Sequence, residues 1–168
     1  MSRRIPRLAC AEFYGETNDG AEAGGFVIRE VRGIPAGGIP LHAHETPHFC
    51  FIIRGAYETS GLSLALSCGL CALLFHPAGT IHSDGFRTPW GSCLTVSMPK
   101  ALLEALDVPR LPTRSVGFDD ADIGFPGMRM VMELRCPDRL SSLVIECLAL
   151  EMIGNSLARP DNEDRSPS

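Results

Sequence analysis

Short apolar and β-branched runs alternate with glycine-containing turns through residue 98 of the chain. Phe26–Arg32 is a clear example, because its β-branched residues favour an extended strand. Closely spaced short strands of this kind are typical of an all-β barrel or sandwich. The pattern predicts a short strand within 11–17, a polar loop over 18–25, and strands at 26–32, 39–44, 47–54, 56–59, 62–66, 71–75, 80–84 and 92–98.

The strand predicted over 47–54 is apolar on both faces. Phe49, Phe51 and Ile53 alternate with a second set that includes His48 and Cys50. A strand of this composition is covered on both sides. We therefore expect one face to look into the barrel, with the histidines, and the other to pack against a second layer or the helices.

The pattern changes after Met98 and becomes helical. It predicts a short helix over 100–106, an irregular connection over 108–123, a helix over 128–135, and a long helix from Pro137–Asp138 to about 159. The long helix has a wide apolar stripe, in which Ile145, Leu150 and Ile153 extend beyond helical spacing. This surplus predicts a homodimer through 138–159, and the alternative is a wide intramolecular core face.

The composition is that of one ordinary globular domain. The chain has 168 residues, 45% hydrophobic and 21% charged, with a net charge of −5. This charge argues against a broad nucleic-acid surface, and no apolar run reaches transmembrane length. The basic start lacks an apolar run after it, so we expect no signal peptide, a cytoplasmic location and no membrane contact. Residues 1–10 are predicted to be a flexible basic arm, and 160–168 a disordered tail.

The chain contains seven cysteines, an odd number. A reducing compartment disfavours structural disulfides. Cys68 and Cys71 form a single CxxC pair with no second one, so we interpret them as small packing residues between two predicted strands. Cys50 and Cys93 have apolar strand neighbours and are interpreted as core residues.

All five histidines lie between residues 42 and 82. His42 and His44 are two apart in one strand, so their side chains share a face. His48 keeps this parity if the strand resumes after Pro47, and a turn over Pro77–Gly79 would direct His82 from the following strand. Two hairpins would thus bring four imidazoles into one interior, where imidazole suits metal binding and proton transfer.

The spacing His42-x-His44-x3-His48-x6-Gly55, followed by Pro77-x-Gly79-x2-His82, resembles the two motifs of the cupin superfamily. The resemblance implies a mainly β fold, a cupin-type β-barrel (double-stranded β-helix or jelly roll) over 11–98, followed by a C-terminal helical pair. The chain departs from the family where His48 stands in place of Glu. Four residues rather than five separate Gly37 from His42, and Phe86 stands where Asn is common. A four-histidine metal site remains open.

A closer resemblance is to the N-terminal sensor domains of AraC-type transcriptional regulators. The matching positions are His42, His44, His48, Cys50, Gly55, Glu58, Leu73, Phe75, Pro77, Gly79, His82 and Phe86. The resemblance implies a ligand pocket in the barrel, a dimerisation region over 99–159, and an N-terminal arm that contacts ligand or the DNA-binding domain. No helix-turn-helix pair follows, so we expect no direct nucleic-acid binding.

Two functions follow from these resemblances. The first is a small-molecule-sensing and dimerisation module linked to transcription, with a ligand pocket formed by His42, His44, His48, Cys50, Tyr57 and His82. The second is a metal-dependent cupin enzyme, a dioxygenase or isomerase, in which one divalent metal ion (Fe, Mn, Ni or Zn) is held by His42, His44, His48 and His82.

No acid–base partner stands out in the sequence for the second function. Glu45 has the opposite strand parity to the histidines, and Glu58 is interpreted as a rim residue. His76 is interpreted as a supporting or structural residue. Trp90 could line the site, although a single aromatic residue usually packs.

Overall fold

A computed structural model describes residues 4–33, 38–61, 65–88, 90–108, 111–118 and 121–158. This part of the chain is mainly β, with two sheets and three helices. The strands are β1 (Arg7–Leu8), β2 (Glu16–Ala23), β3 (Phe26–Arg32), β4 (Ile39–His44), β5 (His48–Arg54), β6 (Tyr57–Gly61), β7 (Ala65–Cys68), β8 (Leu73–His76), β9 (His82–Phe86), β10 (Ser92–Ser97) and β11 (Val116–Phe118). The helices are α1 (Lys100–Ala105), α2 (Ala121–Arg135) and α3 (Ser141–Leu157).

The strands form a five-stranded sheet in the order β1-β4-β9-β6-β7 and a six-stranded sheet in the order β11-β8-β5-β10-β3-β2. The strand pairs are antiparallel apart from β1 with β4, which is parallel. The structure therefore shows two sheets, and it does not show the closed barrel that the sequence predicted.

Two apolar cores lie on opposite faces of the six-stranded sheet. The smaller core fills the space between the sheets and includes Ile52, Leu74 and Tyr57. The larger core packs that sheet against α2 and α3, through residues such as Phe51 and Met152. Strand β5 contributes to both cores, as its two apolar faces predicted.

The N-terminal region contains more strand than the sequence predicted. Residues 18–25 were expected to be a loop, but β2 extends through Ala23 and pairs with β3. The hairpin turns at Gly24 and Gly25, which both have positive φ. Because β2 is an exposed edge strand, it needs few apolar residues. Its polar composition therefore lacks the apolar pattern that predicts a strand. Strand β1 (Arg7–Leu8) lies within the segment 1–10 that was predicted to be a flexible arm, and it pairs with β4.

The helical region also differs from the prediction in its boundaries. The connection over 108–123 contains β11, and α2 begins at Ala121 rather than 128, although Pro126 lies inside it. Helix α3 begins at Ser141 and contacts α2, which is loosely consistent with the predicted pair. None of the described helices has the length and hydropathy needed to cross a membrane.

Two predicted segments fall partly or wholly outside the described residues. They are the first part of the strand over 62–66 and the tail over 160–168. Cys68 ends strand β7, and Cys71 lies in the following turn with positive φ, so the CxxC pair does not lie wholly between two strands. Neither cysteine forms a disulfide with another described residue.

Helix α2 approaches the sheet so closely at Gly127 that a side chain there is expected to be costly. A Cβ atom at Gly127 would lie 2.5 Å from the buried Phe51 ring, whereas one at Gly154 of α3 would have no heavy atom within 4 Å. We expect Gly127→Ala to lower the free energy of unfolding by about 1–3 kcal/mol through overpacking. Gly154→Ala should raise it by up to about 1 kcal/mol, because alanine favours a helix.

Urea unfolding of the two variants and the wild type measures this difference. Equal or higher stability of Gly127→Ala relative to the wild type would contradict the close approach of α2 to β5.

Candidate functional site

The two sheets bring all five histidines into one buried cluster between them. His42 and His44 come from β4, His82 from β9, His48 from β5 and His76 from β8. Strand register sets their positions, because His42 lies opposite His82 and His48 lies opposite His76. None of the five is more than 4% exposed. The clustering that the sequence predicted is therefore present, and it includes His76.

Three of these residues form what we call the imidazole triad, His42, His44 and His82. One ring nitrogen of each lies within 4.8 Å of the others, and the Nε2 atoms of His42 and His44 are 3.2 Å apart. His42 Nδ1 lies 2.8 Å from the Pro40 carbonyl oxygen, and His82 Nδ1 lies 2.9 Å from that of Thr80. A carbonyl oxygen only accepts, so both Nδ1 atoms carry hydrogen. In the neutral rings, each Nε2 therefore presents a lone pair to the cluster.

His48 is not a member of the imidazole triad among the described residues. Its ring centroid lies 4.4 Å from that of His44 but 6.4 Å from that of His82. The sequence placed it on the correct face, but β5 belongs to the opposite sheet from β4 and β9. Its role as a fourth ligand stays a prediction.

Asp84 is the buried carboxylate of the site, and it was not among the residues expected from the sequence. Its Oδ2 lies 3.2 Å from His82 Nε2 and 3.5 Å from His42 Nε2. Asp84 follows His82 by two residues on β9, so the two side chains share a face. This spacing was the signal that could have identified it.

A cavity with an empty volume of about 330 Å³, part of it open to solvent, lies against the cluster. His42, His44 and His48 line it, and so do Cys50 and Tyr57, two of the predicted pocket residues. His82 belongs to the imidazole triad but is not among the residues that line this cavity.

Phe13 and Tyr14 cover the imidazoles from the N-terminal segment. The Phe13 ring centroid is 4.9 Å from that of His44, and the Tyr14 centroid is 5.3 Å from that of His42. Hydrogen bonds between β1 and β4 hold this segment in place, including Glu45 N to Leu8 O at 2.9 Å. No pattern in the sequence indicated that these aromatic residues reach the site.

The other residues considered from the sequence lie away from the cavity. Trp90 is 59% exposed, and Glu45 is also exposed. Glu58 is exposed and lies 3.5 Å from Arg87, in agreement with a rim position. His76 is fully buried, and its Nδ1 lies 2.9 Å from Ser115 Oγ.

Burial keeps most of the cluster neutral. Desolvation lowers the pKa of His44 to about 3 and that of His76 to about 4, and it also lowers the pKa values of His42 and His48. Burial acts in the same direction on His82, but the Asp84 carboxylate outweighs it and raises the pKa. Burial raises the pKa of Asp84, yet the contact with His82 outweighs it and holds the pKa below its ordinary value.

The donor set of the imidazole triad fits a divalent transition-metal ion. Neutral imidazole nitrogens suit Zn, Fe and Ni, and metal-bound histidines commonly donate the other ring N–H to a carbonyl oxygen. His42 and His82 have this arrangement through Pro40 and Thr80. Metal binding would account for the convergence of these nitrogens without a nucleophilic Ser, Thr or Cys residue.

No family model matches the chain, and no curated protein matches it. Among solved structures, the AraC-like transcriptional activator CuxR aligns with a TM-score of 0.57 at 15% identity, over 87% of this chain and 57% of CuxR. A cupin-2 domain protein of Shewanella frigidimarina aligns at 0.45 and 11% identity, over 52% of this chain and 84% of its own. A Bacillus subtilis oxalate decarboxylase aligns with a TM-score of 0.42 at 16% identity, over 54% of this chain and 28% of the decarboxylase. The chain therefore shares its fold with the matched part of CuxR.

We expect the metal-free protein to lose stability in acid because the cluster is buried in its neutral form. Below the unfolded-state pKa of about 6.5, the unfolded chain binds protons that the folded His44 and His76 exclude. Each such histidine should lower the free energy of unfolding by about 1.4 kcal/mol per pH unit, from about pH 6.5 toward its folded pKa. His82 has a raised pKa, so its stabilisation is complete below about pH 6.5 and adds no slope there.

Urea unfolding of chelator-treated protein between about pH 6.5 and pH 5 tests this. His76→Gln should reduce the slope by the contribution of one histidine. An unchanged slope in that variant would show that His76 is not held neutral by burial.

Proposed function

We propose that this protein is a small-molecule-sensing and dimerisation module whose pocket holds a divalent metal ion on His42, His44 and His82. The observation that carries the proposal is the convergence of three buried imidazole nitrogens within 4.8 Å beside an aromatic-lined cavity. Such a metal ion would act as a Lewis acid toward an oxygen-containing ligand. The chain itself would supply the fixed imidazole orientation and the exclusion of water.

The cavity supports a small ligand rather than a large one. The space of about 330 Å³ includes open solvent, so the enclosed part beside the imidazoles is smaller than this figure. Phe13, Tyr14 and Tyr57 contribute aromatic side chains to its lining. A ligand that enters must contact the N-terminal segment, which offers a route from binding to a change in the arm.

The link to transcription rests on the likeness in fold to CuxR, an AraC-like transcriptional activator. The match covers 57% of CuxR, so the activity of that whole protein is carried to this chain only as part of the proposal. On this proposal the chain senses the ligand and does not contact DNA through the described residues.

The metal site predicts that two neighbouring histidines differ in their effect. His44→Gln removes a member of the imidazole triad, and we expect it to weaken metal binding at least about tenfold, the lower limit for disturbing a metal ligand's surroundings. His48→Gln alters an equally buried imidazole outside the triad, and we expect a smaller loss of affinity than in His44→Gln. Titration calorimetry with Zn(II) on chelator-treated protein measures both.

Circular dichroism confirms that each variant is folded before the comparison. Equal losses in the two variants would instead favour the four-histidine site. A folded wild type that binds no metal would remove the metal from the proposal and leave an organic ligand pocket.

A metal-dependent enzyme of the cupin type, a dioxygenase or isomerase, is the second candidate. Three protein ligands leave coordination positions free for substrate, as in catalytic metal sites. Asp84 lies 3.2 Å from His82 and supplies the carboxylate that the sequence analysis lacked. Oxygen consumption by the metal-loaded protein with candidate substrates separates this function from sensing, which requires binding without turnover.

The dimer is proposed to form through α3. Its inner face, including Leu148 and Met152, is buried against the sheet, whereas Leu143 is 59% and Leu150 is 38% exposed. Cys147 lies between these two leucines at helical spacing and is also exposed. An exposed apolar stripe of this kind is typical of a surface that a partner covers.

We expect Leu143→Glu to weaken the dimer at least about tenfold, because a carboxylate would be placed in an apolar contact. Leu70→Glu is the matched control, because Leu70 is 65% exposed in the turn between β7 and β8, away from α3. Sedimentation equilibrium measures both association constants. A monomeric wild type, or equal effects of the two variants, would count against the α3 interface.

A further inference from the structure

A second set of potential ligands lies next to the imidazole triad and has a different composition. His76, His82 and Asp84 each offer one atom within 4.8 Å of the others, and all three are buried. We call this set the carboxylate triad. It shares only His82 with the imidazole triad, and its members come from the short stretch 76–84, on either side of the turn between β8 and β9.

The carboxylate triad contains buried polar atoms without partners among the described residues. His76 Nδ1 is engaged by Ser115 Oγ at 2.9 Å, which fixes the ring, and His76 Nε2 has no hydrogen-bond partner. Asp84 Oδ1 likewise accepts no hydrogen bond. His82 Nε2 also lacks a hydrogen-bond partner, although it lies 3.2 Å from Asp84 Oδ2. Buried polar atoms normally have hydrogen-bond partners, so three such atoms in one small cluster indicate an occupant that supplies the missing interactions.

The contact between His82 and Asp84 indicates the charge that an occupant of the carboxylate triad must carry. His82 Nδ1 carries hydrogen toward the Thr80 carbonyl, so the lone pair of the neutral ring faces Asp84 Oδ2 at 3.2 Å. A lone pair and a carboxylate oxygen at this distance repel each other, so the contact needs a cation, which is either a proton on His82 Nε2 or a metal ion that takes the place of that proton. His76 is parallel to His82, with ring centroids 4.5 Å apart, and brings a second imidazole to the same place.

We propose that the carboxylate triad is a second, alternative position for a divalent transition-metal ion. Its two imidazoles and one carboxylate are a set that suits Fe(II) and Mn(II), whereas the imidazole triad offers nitrogen alone. His82 has one free nitrogen, so the two positions exclude each other and the protein holds one ion at a time. The inference extends the proposed metal site but does not require the imidazole triad to bind.

The two positions differ in what they connect. The imidazole triad comes wholly from β4 and β9 of the five-stranded sheet, whereas His76 belongs to β8 of the six-stranded sheet. An ion in the carboxylate triad therefore ties the two sheets together. Both triads reach the cavity, the imidazole triad through His42 and His44 and the carboxylate triad through Asp84.

Co(II) titration of a double variant tests the proposal. His42→Gln/His44→Gln removes two members of the imidazole triad and leaves the carboxylate triad whole. We expect calorimetry to show one bound Co(II) with weakened affinity. Adding His76→Gln or Asp84→Asn should weaken this residual binding at least about tenfold further. Adding His48→Gln, which alters a neighbouring imidazole outside both triads, should change it by less than about threefold.

The outcomes separate the two sites. The carboxylate triad is overturned if the folded double variant binds no Co(II). It is also overturned if the residual binding is unchanged by His76→Gln and Asp84→Asn. In both cases, Co(II) binding by the wild type still supports the imidazole triad. Wild-type affinity in the double variant, lost with His76→Gln, supports the carboxylate triad and overturns the imidazole triad. A wild type that binds no Co(II) overturns both. If the double variant does not fold, His44→Gln with and without His76→Gln repeats the comparison with one change fewer.

Discussion

Five imidazoles and one carboxylate are buried in a small volume between the two sheets, and their burial controls which of them can be charged. Charged groups removed from water are costly unless they are paired, so this cluster can hold few charges at once. Desolvation keeps His44 and His76 neutral at ordinary pH, and the pair of His82 with Asp84 is where charge is retained. Backbone carbonyls at Pro40 and Thr80 then fix which nitrogens face inward. The convergence of lone pairs follows from these constraints.

The opposite face of the six-stranded sheet gives this cluster a rigid support. Phe49 and Phe75 are fully buried in the core beneath α2 and α3, and each adjoins a histidine of the cluster in sequence. Because side chains alternate along a strand, packing of the phenylalanines on one face sets where His48 and His76 lie on the other. Close packing of such a core resists displacement, so the imidazole positions depend on helices that do not touch them.

The N-terminal segment connects the site to the surface of the molecule. Phe13 contacts the rings of His44 and His48, and β1 pairs with the strand that carries His42 and His44. A shift of His44 or His48 would therefore change its contact with Phe13, and a shift of β4 would change its pairing with β1.

The sequence by itself determined the strand succession over 26–98, the two covered faces of β5, and the gathering of histidines on inward faces. These features follow from local periodicity and spacing, which a single chain displays directly. It did not determine β2, whose exposed edge position left no apolar pattern, or the roles of Asp84 and His76. Only the tertiary structure decided that His42, His44 and His82 share one sheet while His48 and His76 face them from the other. The pairing of distant strands sets those distances, and pairing between strands is not written in the periodicity of either strand alone.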